Sequence, residues 1–118
     1  MTSRPITVVE LHAFTRSAAR IWSDEEITAL VDYVARNPEA GDVIQGTGGV
    51  RKLRWARSGG GKRGGARVVY FYYRSDTPIY MLLAYAKAKA SDLTPDEKKA
   101  VAALASAIEA AAEEGNER

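Results

Sequence analysis

The chain has 118 residues, 46% apolar and 27% charged, the balance of an ordinary globular domain long enough to bury a core without staples. It has no cysteine and a single histidine, His12, which excludes a disulfide framework, a thiolate metal site and any His pair for a metal or a triad. The formal net charge of +2 conceals a block structure: residues 43–91 hold ten Lys/Arg against Asp76 alone, a net +9, while the flanking segments carry −3 and −4.

Eight of those cations fall between Val43 and Ser75 with no acid among them. That run points to a polyanionic partner, nucleic acid above all, rather than a neutral small molecule. No apolar run has the length of a membrane span, and the N-terminal one is too short for a signal peptide. The expected setting is the cytoplasm.

In chain order, the β-branched run Ile6–Leu11 predicts a first strand. Thr15–Trp22 predicts a short helix. Ser23-Asp-Glu-Glu26 is a capping box, and Ile27, Leu30, Val31 and Val34 follow it on one helical stripe that Asn37-Pro38 ends. Nine of the ten glycines lie between Gly41 and Gly65, in two clusters. Between the clusters, Val50–Arg57 alternates, with Lys52 and Arg54 on one face and Arg51, Leu53, Trp55 and Arg57 on the other. Arg67–Tyr73 and Ile79–Tyr85 complete three consecutive strands, an antiparallel meander. Thr94-Pro-Asp-Glu97 is a second capping box, opening a helix whose stripe is Val101, Leu104 and Ile108. That helix is expected to pack lightly and to fray from Glu113. The fold class is therefore α/β (α+β): one β-α-α-β-β-β-α domain over residues 1–118, with a mostly antiparallel sheet, an N-terminal helical hairpin and a C-terminal helix.

The glycine clusters are not phosphate loops, because Lys62 is followed by Arg63 rather than Ser or Thr and a strand, not a helix, follows. A basic hairpin loop carrying Lys62 and Arg63 instead suits a clamp on a phosphate backbone. The sharper feature is a convergence of cations. Lys52 and Arg54 share a face, Arg67 starts the next strand, and Lys87 and Lys89 leave the last one beside Tyr85. In a meander these positions meet near one end of a small sheet. Guanidinium groups there suit a reaction in which phosphate is the electrophile, with a lysine or a tyrosine moving protons. Arg51, Arg57, Lys62, Arg63, Tyr85 and Lys89 are the expected RNA contacts around it. Of the other aromatics only Tyr73 is a further stacking candidate, the rest being core, and His12 is structural.

The segments Gly41–Arg54, Gly61–Tyr72, Tyr85-Ala-Lys87 and Asp92-Leu-Thr94, taken in order, resemble the RelE/HigB group of toxins from bacterial type II toxin–antitoxin systems. The resemblance implies a metal-independent endoribonuclease without cofactors, which cuts mRNA in the ribosomal A site by 2′-hydroxyl attack on the adjacent phosphate. It also implies a cognate antitoxin, usually with a helix-turn-helix domain, through which the pair binds operator DNA. Lys52 and Arg54 resemble the paired cations of the family, Arg67 its phosphate ligand and Lys87 the cation at the end of the last strand. The RelE pattern of this group carries a tyrosine in the C-terminal segment, and none follows Tyr85 here. The general base is thus either Tyr85 or a lysine, as in the HigB-like branch. Two other readings remain: a gyrase inhibitor like the ParE branch of the same fold, and a plain nucleic-acid-binding module. Both faces of the Arg67–Tyr73 strand are apolar enough to want cover, which an acidic amphipathic segment of the antitoxin would suit.

Overall fold

A computed structural model describes residues 6–56, 65–86 and 93–116. The chain opens with β1 (Val8–Glu10), whose Leu11 amide still bonds to the Met81 carbonyl before the chain turns straight into α1 (His12–Ala19). Because pairing passes directly into helix, Leu11 serves as the N-cap without a side-chain bond. The helix therefore starts three residues earlier than the sequence suggests. The helix α2 (Asp24–Arg36) begins at the expected capping box, the Ser23 hydroxyl accepting from the Glu26 amide and the Glu26 carboxylate accepting from Ser23.

Next comes a short strand that the sequence reading lacked, β2 (Asp42–Val43). It forms because a tight turn returns the chain onto β3 (Val50–Trp55): the buried Thr47 hydroxyl donates to the Ile44 carbonyl and accepts from the Val50 amide. Then follow β4 (Ala66–Phe71), β5 (Ile79–Ala86) and α3 (Pro95–Asn116), the last opened by its own capping box between Thr94 and Glu97. The sheet has five strands in the order β1-β5-β4-β3-β2. The meander is antiparallel as expected, and only β1 on β5 is parallel. Among the described residues no helix is long and apolar enough to cross a membrane.

Each face of the sheet has its own core. Under α1 and α2 lie Phe14, Leu30, Val34, Val68, Tyr70, Ile79 and Met81, all fully buried. Under α3 lie Ile44, Val50, Val69, Phe71 and Leu82 with Val101 and Ala105. Leu104, expected on the buried stripe, is 41% exposed, and Ala105 takes its place, a small residue that lets the helix approach the sheet. Nor does α3 fray from Glu113. The Tyr73 hydroxyl donates to the Glu113 carboxylate, and Arg74 pairs with the same carboxylate at 2.9 Å and with Asp76 at 2.6 Å, so helix order runs to Asn116. Arg74 is thereby removed from the uncompensated cations, and Tyr73 is a helix anchor stacked on Phe71 rather than a free base-stacking platform.

Candidate functional site

A β-bulge decides what the α3 face displays. The β4–β5 register slips between Val69 and Tyr70, so that Tyr70 pairs with Met81 while Val69 pairs with Leu83, leaving Leu82 as the extra residue. Strict alternation along β5 from the buried Ile79 and Met81 would place Tyr85 with them, under α1 and α2. The slip carries Tyr85 to the other face.

There it completes a row. Arg54 on β3 pairs with Arg67 on β4, and Arg67 pairs with Tyr85 on β5, so three of the candidate residues stand side by side across the sheet. Lys52 shares that face two residues from Arg54, about 7 Å along the strand. Lys52, Arg67 and Tyr85 are half-buried and Arg54 is exposed.

Two arginines directly opposite one another repel. Among the described residues neither has an ion-pair partner, and the Arg67 Nη1 atom is buried without a hydrogen bond. Gly65 packs closely against the row: a β-carbon there would lie 3.2 Å from Arg54 Nε, which would have to give by a few tenths of an ångström, and in ordinary contact with Arg67 Nη1 at 3.6 Å. Such a pair, with no carboxylate partner among the described residues, has the chemistry of an anion site, since phosphate oxygens match the guanidinium fork.

The remaining expected residues divide in two. Arg51 lies on the opposite face and is engaged, its Nη1 donating to the carbonyls of Gly41 at 2.7 Å and Glu39 at 3.3 Å. The Tyr70 hydroxyl reinforces the same turn, accepting from the Gly41 amide at 2.8 Å and donating to the Pro38 carbonyl at 2.9 Å. Arg51 is therefore placed with the turn before β2 and not with the cation row. Trp55 likewise faces α2, its ring 5.4 Å from that of Tyr33. Arg57, Lys62, Arg63, Lys87 and Lys89 lie outside the described residues. Sequence reading missed Lys98 on α3. It is half-buried beside Lys52 in a groove of about 390 Å³, lined also by Asp42, Val43, Ile44 and Gln45. Its distance along the chain hid it, and only the docking of α3 brings it near.

Fold and site together define a small α+β protein with a cationic row set across a meander sheet. Residues 7–117 match the family model described as the RelE toxin of the RelE/RelB toxin–antitoxin system. The chain belongs to the RelE toxin family, and that membership implies a cognate antitoxin. The fold is also that of E. coli RelE, an arginine-to-alanine double mutant solved in the free state. That likeness has a TM-score of 0.54 at 13% identity and covers 75% of this chain and 90% of the other.

Proposed function

We propose that this toxin is a ribosome-dependent mRNA endonuclease that works in the cytoplasm. One observation carries the reading: the cross-strand row Arg54–Arg67–Tyr85, with two opposed guanidinium groups and a buried Arg67 nitrogen that lacks a partner.

In this reading the scissile phosphate sits over the row. Arg67 and Arg54 bind its non-bridging oxygens and stabilise the charge that builds as the 2′-hydroxyl oxygen adds to phosphorus. The proton of that hydroxyl passes to Tyr85 as phenolate, or to the neutral amine of Lys52 or Lys87. The bond from phosphorus to the 5′-oxygen breaks, and the leaving oxygen takes a proton from a neighbouring cation. The products are a 2′,3′-cyclic phosphate and a free 5′-hydroxyl. Lys62, Arg63, Arg57 and Lys89 are then contacts to RNA, with ribosomal RNA as the partner of the loop pair. The antitoxin, a helix-turn-helix protein in this reading, brings operator DNA to the complex.

The test is mRNA cleavage on programmed ribosomes, wild type beside Arg67→Ala. Loss of one preorganised donor typically costs about 10²–10³ in rate. The expected result is cleavage at the A-site codon that falls by that factor in the variant. Growth arrest without cleavage, accompanied by a DNA-damage response, would replace the reading with inhibition of gyrase.

A further inference from the structure

The groove between β2 and the first turn of α3 opens onto the same face as the cation row, and Lys52 belongs to both. It has polar groups that a nucleotide can use. Its β2 side runs through Val43 and Ile44, the Ile44 side chain buried in the core under α3 and Val43 standing opposite Arg51. Gln45 offers a donor and an acceptor for a base edge, and Asp42 offers acceptors. Lys98 supplies a cation on the wall opposite β2. It is half-buried, whereas Lys99 next to it is exposed.

The geometry of the walls is fixed independently of any ligand. Arg51 and Tyr70 hold the turn at Gly41, and a β-carbon on Gly41 would meet the Lys52 carbonyl at 2.9 Å, so β2 is pressed against β3. The Thr94–Glu97 capping box fixes the first turn of α3, which carries Lys98. From the row to the groove is about 7 Å along β3, one nucleotide unit of an extended strand.

We propose that this groove is a subsite for the nucleotide adjoining the scissile phosphate, with Lys98 holding its phosphate and Gln45 reading its base. The inference rests on the endonuclease reading above and extends it to codon choice. A phosphate contact positions without reading sequence, whereas a base contact specifies. The two residues therefore have different signatures.

Single-codon mRNAs on programmed ribosomes separate them. Lys98→Gln is expected to raise KM about fivefold with kcat kept, the size of one partly exposed charge contact. Lys99→Gln, the matched loss of charge one residue away, is expected to leave both unchanged. Gln45→Ala is expected to change the ratio of cleavage among A-site codons by at least about fivefold, at an unchanged melting temperature. Equal effects of Lys98→Gln and Lys99→Gln would overturn the proposal, because a general field would then suffice. So would an unchanged codon profile in Gln45→Ala, since ribosomal RNA phosphate would then be the ligand of Lys98. If wild type itself leaves mRNA intact, the endonuclease reading fails. If wild type cuts, Arg67→Ala does not, and the groove variants match wild type, the subsite alone fails.

Discussion

The two faces of the sheet are built to different ends. Beneath α1 and α2 the side chains are large, apolar and fully buried, and the one polar atom of Tyr70 is satisfied twice, by the Gly41 amide and the Pro38 carbonyl. Beneath α3 the described residues divide the face in two. Val50, Val69 and Phe71 are covered, while Arg54, Arg67, Lys52 and Tyr85 line the other half with guanidinium groups in register. The first face is what a sheet does to be stable. The second keeps a repulsion that folding alone gives no reason to keep, and the proposed phosphate ligand would supply one.

The sharpest way to break that comparison is to damage the closed face. Phe14 is fully buried between α1 and the sheet, and Phe14→Ala removes a ring from a site that cannot collapse freely. The expected loss is about 3–5 kcal/mol by urea denaturation. A loss below 1 kcal/mol would mean that the hairpin face is not the main source of stability.

Tyr70→Phe sharpens the contrast with less force. It leaves the ring and removes the hydroxyl that bridges Gly41 and Pro38, at an expected cost of about 1–3 kcal/mol. It also has a pH signature. Burial raises the Tyr70 phenol above its ordinary value near 10. A raised value in the folded state contributes stability that is complete below the unfolded value and is lost as pH rises through the folded one. The alkaline limb of the stability curve, above about pH 10, is therefore expected to fall more steeply in wild type than in Tyr70→Phe. Parallel limbs would show that Tyr70 is not desolvated.

How much of this could be read from residues alone follows from the range of each interaction. The capping boxes at Ser23 and Thr94 are complete within four residues, so both helix starts were legible. Alternation along β3 placed Lys52 and Arg54 together and Arg51 opposite them, because period two is a local rule. Three features were not legible. The start of α1 has no capping side chain to announce it. Glu113 looks like a fraying end until Tyr73 and Arg74, some forty residues away, reach it. The bulge at Leu82 is set by how β5 must fit β4 and α1 at once. Past the end of β1 pairing the Ala84 amide donates to the Ser17 hydroxyl of α1 instead. Without that bulge, alternation from Met81 would send Tyr85 into the wrong core.

The smallest effect separates the faces most directly, because it uses two arginines of one strand. Arg51 and Arg54 have the same chemistry and lie three residues apart on β3, but on opposite faces. Arg51 donates to two backbone carbonyls, so Arg51→Gln is expected to destabilise by about 1 kcal/mol. Arg54 stands against Arg67 and has no ion-pair partner among the described residues, so Arg54→Gln is expected to stabilise by about 0.2–1 kcal/mol at low salt. Near 1 M salt the Debye length falls to about 3 Å and the gain should shrink towards zero, while the Arg51 loss, a matter of hydrogen bonds, should persist. Inorganic phosphate gives the matching check: bound between the two guanidinium groups, it should stabilise wild type more than Arg54→Gln. If Arg54→Gln were destabilising at every ionic strength, the opposed pair would be a packing element, and the difference between the two faces would be one of shape rather than of charge held ready for a ligand.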